Sequence, residues 1–218
     1  MRTITVKGTG NVSVKPDLIV IIMTLEETNG DYECAMKLVA DKARDLGVCL
    51  QRIGFEKEAL KTTNFNVDKS FDSIRDDNGN YKRVFKGFCC TQALKLEFDF
   101  QMERLSSVLQ AMAKSYASPE WDIRFTVKDR DGIDEALLKS ATKNAKEKAL
   151  VLCEAAGVQL GNLISIDYCW GELNIYSKTE LCLEDRCVGY APNGLKGMEI
   201  EPDDIDLKDT VTFVWEIK

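Results

Sequence analysis

The stretch "TTNFNVDKSFDSIRDDNGNYKRVFKGFCCTQALKLEFDF", Thr62–Phe100, decides the fold. Asn78-Gly79 in its middle is a hairpin-turn signal, because a tight turn between antiparallel strands needs residues that accept positive φ. After the turn the pattern alternates. Leu94, Leu96, Phe98 and Phe100 share one side, and Lys95, Glu97 and Asp99 share the other. That is an antiparallel strand with one buried face. A hairpin running from Leu60 to Phe100 excludes a purely parallel sheet.

Before the hairpin, Thr3–Val14 alternates as strand, with Ile4 and Val6 in one phase and Val12 and Val14 in another. Pro16-Asp17 punctuates it, and Asp17–Thr28 follows as a second strand. Asp31–Arg52 has apolar residues at helical spacing (Ala35, Leu38, Val39, Leu46, Leu50), Asp31 as a first-turn acid and Gly54 beyond the end. Past the hairpin come a short helix, Gln101–Ser115, a strand from Glu120, and a long helix from Asp131 to about Ala156. The long helix carries Ile133, Leu137, Ala141, Ala145, Ala149, Leu152, Cys153 and Ala156 on one stripe. So many alanines require a closely approached neighbour, most simply a sheet. Further strands are expected at Leu163–Ile175 and Thr210–Lys218. The order predicts an α+β fold: a mainly antiparallel sheet with a long hairpin, packed by about three helices. No linker divides the chain, so 1–218 is expected to be a single domain, with an irregular excursion at about 177–209.

Composition narrows the function. The chain has 218 residues, 44% of them hydrophobic and 30% charged, with a net charge of -7 and a pI near 4.9. An acidic chain is a poor electrostatic partner for nucleic acid. The longest apolar stretch, "LIVIIM" at Leu18–Met23, is too short to cross a bilayer. The start, "MRTITVKGTG", carries no secretory pattern, which points to a cytoplasmic protein with reduced thiols. There is no histidine, which removes Ser-His-Asp and Cys-His catalysis and histidine metal sites.

The candidate sites resolve mostly into structure. Gly8 and Gly10 resemble the start of a dinucleotide loop, but Ser13 stands where the third glycine belongs, and a strand follows instead of a helix. They are expected to mark a bulge or bend, with a backbone conformation that other residues resist. Cys182 and Cys187 have four residues between them, a spacing that zinc sites use, but two thiols are too few ligands for a closed zinc site. They could form a reversible disulfide beside Arg186. Cys89 and Cys90 point to opposite faces of a strand, and Cys153 belongs to a core. Lys139, Lys143 and Lys146, with Lys148 nearby, read as the solvated face of the long helix. Glu26 and Glu27 should diverge. The acids between Glu199 and Asp206 lack calcium-loop spacing. No catalytic residue, cofactor or metal site is assigned. Phe71, Ile74, Tyr81, Val84 and Phe85, far out on the hairpin, need a cover, supplied either by a helix of the same chain or by another subunit.

Several segments, in order, resemble the SIMPL domain family: "ITVKGTGNVSVKPDLIVIIMTLE" at the start, Thr62–Phe65 "TTNF", "KGFCCTQALKLEF", "IRFTVKDRDGIDEALLKSATKNAKEKALVLCEAAGVQLGNLISI", and the closing "VTFVWEI". The family commonly has Tyr where Phe88 stands, and Ser177–Glu201 matches no family feature. The resemblance implies an α+β fold, homo-oligomers in some members, and a link with stress defence and, in animals, with signalling kinases. It supplies no catalytic residues. The expectation is a non-enzymatic, self-associating bacterial protein. A thiol redox sensor using Cys182 and Cys187, and a small-ligand binder or enzyme with a pocket between helix and sheet, are the alternatives.

Overall fold

The computed structural model describes residues 2–75, 81–169, 171, 173–179 and 200–218. Among them are three α-helices and seven strands in two antiparallel sheets, an α+β fold. The Asn78-Gly79 turn, Cys182, Cys187, Arg186 and the excursion from residue 180 to residue 199 lie outside the described residues. Contacts group the chain into two compact units.

The first unit contains β1 (Thr3–Val14), α3 (Arg130–Ala155), β6 (Leu160–Asp167) and β7 (Ile205–Ile217). The sheet order is β1-β7-β6. Helix α3 starts one residue before the expected Asp131: Asp129 is the N-cap, and its carboxylate accepts from Gly132 N at 2.9 Å. The alanine stripe finds the sheet that its small side chains require. Ala141, Ala145 and Ala149 are buried with Val6, Val211, Phe213 and Trp215. A second cluster joins Ile133 and Leu137 to Val127, Ile175, Ile205 and Leu207. Leu152, expected on the stripe, is 53% exposed.

The two glycines of β1 correct the sequence expectation. Strand β1 pairs with β7 from Thr3↔Glu216 to Val14↔Ile205 in unbroken register. Neither Gly8 nor Gly10 has positive φ. They are neither a bulge nor a bend. They are glycine because α3 lies against them. A Cβ on Gly8 would run into the carbonyl oxygen of Ala141 and come within 2.7 Å of the Ala145 Cβ. One on Gly10 would strike the Leu137 carbonyl oxygen. Glycine on the strand and alanine on the helix form one close seam.

Two strand limits also differ. β6 begins at Leu160, where Gln159 and Lys218 exchange backbone hydrogen bonds of 2.8 and 2.9 Å, and it ends at Asp167. β7 begins at Ile205, inside the expected excursion, because its start pairs with the end of β1.

The second unit contains β2 (Leu18–Asn29), α1 (Tyr32–Arg52), β3 (Leu60–Arg75), β4 (Tyr81–Asp99) and α2 (Met102–Lys114), with β5 (Glu120–Thr126) beside β2. Its sheet order is β3-β4-β2-β5. Ile19, Ile21, Met23 and Leu25 of β2 are fully buried, as are Ala35, Val39 and Leu46 of α1. Asp31 caps α1, its carboxylate accepting from Cys34 N at 2.9 Å. Asp45 of α1 accepts from Ser115 Oγ at 2.6 Å and Tyr116 N at 3.1 Å, which ties α1 to the end of α2.

Candidate interaction surface

The expected hairpin is present, and among the described residues its outer half lacks a third strand. β4 pairs with β3 on one side over its whole length. On the other side β2 reaches only as far as Asn29↔Phe88. Beyond that point residues 71–75 and 81–85 form a two-stranded ribbon. A bulge marks the changeover. The register passes from Ser70↔Gly87 to Phe71↔Phe85, so Lys86 is an extra residue on β4. Gly87 has φ +151, and a Cβ there would meet the backbone of Asn29. This is a bulge with a glycine beside it, lying where β2 ends.

The ribbon carries a row of aromatic rings. Phe71 meets Phe85 at 5.8 Å between centroids, Phe85 meets Phe88 at 5.4 Å, and Phe88 meets Tyr32 of α1 at 5.5 Å, all edge to face. Such pairs contribute about 0.5–1.5 kcal/mol each beyond area burial. The Arg83 guanidinium lies over the Phe71 ring at 4.7 Å. Lys86 bridges to Asp72 at 3.5 Å. Even so, Phe71 is 42%, Phe85 47%, Ile74 53% and Tyr81 78% exposed. Among the described residues no helix covers the outer ribbon. An isolated two-stranded ribbon is marginally stable in water.

The edge of the first sheet at β1 is treated differently. Thr9 N donates to Asn144 Oδ1 at 3.0 Å, Asn11 N donates to Ser140 Oγ at 3.2 Å, and Lys148 Nζ donates to the Lys7 carbonyl at 3.2 Å. Two strand residues advance about 6.6 Å and four helix residues about 6 Å. Positions 7, 9 and 11 therefore match 148, 144 and 140. Helix side chains occupy the backbone groups that another strand would use. The sequence offered a signal, polar residues at i, i+4 and i+8 beside the alanine stripe, which only the known neighbour makes legible.

The remaining candidates fall to structure. Lys139, Lys143 and Lys146 are exposed opposite the buried stripe. Lys139 pairs with Glu135, and Lys143 with Glu147 at 4.0 Å. Glu26 and Glu27 do diverge: Glu26 is exposed, and Glu27 pairs with Lys42. Cys153 is buried in the core. Cys90 is also buried, and burial pushes its thiol pKa up. Cys34 is exposed, and its bond to Asp31 likewise raises its pKa. Neither is an activated thiolate. Among the described residues no three metal-ligating side chains come together. A cleft of about 630 Å³ in the second unit is lined by Lys61, Lys95, Arg104, Glu56, Glu58 and Glu97 among others. Lys95 is bound to Glu97 at 2.8 Å, and Arg104 stacks on Phe55 at 4.3 Å. Its mixed charges select no ligand class. No helix among the described residues is long and apolar enough to cross a membrane.

A family model described as "SIMPL: Protein of unknown function (DUF541)" matches residues 4–215. No curated protein matches the chain.

Proposed function

The chain belongs to the SIMPL family, and on that footing we propose that it is a non-enzymatic, self-associating protein whose working element is the outer β3–β4 ribbon. The observation that carries this reading is the set of uncovered apolar side chains on the ribbon, Phe71, Ile74, Tyr81 and Phe85, all between 42% and 78% exposed. Apolar side chains on a projecting ribbon are stabilised when a partner covers them. The sealed β1 edge supports the same reading, since it removes one competing site of strand addition. A role in stress defence belongs to the proposal through the family resemblance.

Light scattering across a concentration series tests it. The expected result is a mass above the 24.5 kDa of one chain, falling toward that value when Phe71→Ser and Phe85→Ser are combined. Both side chains are half exposed, so the fold should tolerate their loss. A wild-type chain that stays at one-chain mass at high concentration would sink the reading.

A further inference from the structure

The chain contains Asn-Gly at 29–30, 78–79 and 193–194. Asn29-Gly30 is the pair that lies among the described residues, at the end of β2. An Asn-Gly peptide holds its own reactants. The side-chain amide carbon is an electrophile, and the next backbone nitrogen closes a five-membered ring on it. A fold blocks this closure by engaging that nitrogen in a hydrogen bond, and a side chain on the following residue hinders it by crowding the ring. Neither obstacle is present at Gly30. It is exposed, and its N–H has no acceptor among the described residues. Nothing lies within 4 Å of where a Cβ would stand, so the site is open to water.

The electrophile is also held in place. Asn29 Oδ1 accepts from Asp31 N at 3.0 Å. That bond fixes the side chain against the peptide that follows it. A donor at the carbonyl oxygen also stabilises the negative charge that develops there as the ring closes.

We propose that Asn29 is a site of self-modification, losing its side-chain amide to the Gly30 nitrogen. Hydroxide removes the Gly30 amide proton, and the nitrogen attacks Cγ of Asn29. The bond from Cγ to the side-chain nitrogen breaks, and ammonia leaves with a proton from water, which restores the hydroxide. The product is a succinimide joining the side chain to the Gly30 nitrogen. Water then opens the ring. Attack at Cγ gives aspartate at position 29, and attack at the main-chain carbonyl gives isoaspartate, with the chain running through the former side chain. Overall one water is consumed and one ammonia released. The consequence falls on the root of the ribbon. A Cβ on Gly87 would strike the Asn29 carbonyl, so the two backbones are in close contact there. Asn29↔Phe88 is the last pair that ties β2 to β4, and Phe88 meets Tyr32 of α1 at 5.5 Å. Isoaspartate adds a methylene to the main chain at this point, which unties the end of β2 from β4. The modification does not depend on self-association.

Peptide mapping by mass spectrometry tests it, on the folded wild-type chain aged in mildly alkaline buffer made with heavy-oxygen water. Aspartate and isoaspartate should accumulate at position 29, both carrying the label, and the map reads this position separately from 78 and 193. Gly30→Ala should slow the loss by about tenfold or more, because the added methyl crowds the ring. Its fold should be kept, since that methyl meets nothing, and circular dichroism checks this. Amide exchange at Phe88 should be faster by about tenfold in the isoaspartate fraction than in the unaged chain. A folded chain that keeps the Asn29 amide overturns the proposal, and so does a Gly30→Ala chain that reacts as fast as the wild type. Unchanged exchange at Phe88 overturns the untying of β2.

Discussion

At the scale of single residues, Gly8 and Gly10 are the most constrained positions of the first unit. Their backbone is ordinary strand, so their identity is set by what lies above them. A Cβ at Gly8 meets a helix carbonyl and another Cβ, neither of which is the end of a flexible side chain. Gly8→Ala must therefore push α3 off the sheet and should cost about 1–3 kcal/mol as overpacking. Gly30→Ala is the control, because nothing lies within 4 Å of its added Cβ, and surface changes of that kind stay within about 0.5 kcal/mol. Urea denaturation of the two variants measures the difference, and equal midpoints would show that the seam is looser than the distances say. The same glycines show where sequence reasoning ended. The alanine stripe of α3 announced a close neighbour, and the paired glycines announced a special place on β1. Nothing local connected them, since positions 8 and 141 meet only in three dimensions. Gly87 was the reverse case: it stands in a plain strand pattern, and only the end of β2 at Asn29 explains it.

Elements were legible where periodicity and capping agreed. Helix α1 and the long hairpin follow their predicted limits closely, because Asp31, Gly54 and the alternating Leu94–Asp99 each act through near neighbours. The limits of β6 and β7 were less legible, because pairing with Lys218 and Val14 sets them. Helix α1 also has a predictable pH response. The Asp31 carboxylate is held below its ordinary value of 3.8, chiefly by the backbone hydrogen bond from Cys34. A depressed folded pKa means that the cap's contribution is fully present above pH 3.8 and is lost as pH falls through the lower folded value. Asp31→Asn keeps a capping oxygen without the charge. Protection of the first-turn amides of α1, measured against their intrinsic exchange rates, should fall in acid for the wild type and not for this variant. The seal on β1 makes a second prediction at this scale. Asn144→Ala leaves the Thr9 amide without its partner, which should cost about 1–3 kcal/mol and speed exchange at Thr9 while the β1–β7 ladder stays protected. Unchanged exchange there would mean that water replaces the side chain without loss.

For the molecule as a whole, the candidate surface was half legible. The sequence marked the outer hairpin as apolar and in need of a cover, but left open whether the chain covers it. That depended on how far β2 runs, and β2 stops at Asn29. Salt now discriminates between the forces acting there. Copies of net charge -7 repel one another, and screening that repulsion would strengthen association as salt rises. Above about 0.15 M, however, the Debye length is only about 8 Å, so charges spread over two whole molecules are already screened. What is left is the burial of the apolar side chains of the ribbon, which salt does not screen. The mass of the wild-type assembly should therefore hold or rise between about 0.15 M and 1 M salt, where the Debye length shrinks to about 3 Å. The combined Phe71→Ser and Phe85→Ser variant should stay near the mass of one chain throughout. Sedimentation equilibrium at a fixed protein concentration reads both. A wild-type mass that falls through this range would mean that ion pairs, rather than the apolar side chains, hold the copies together.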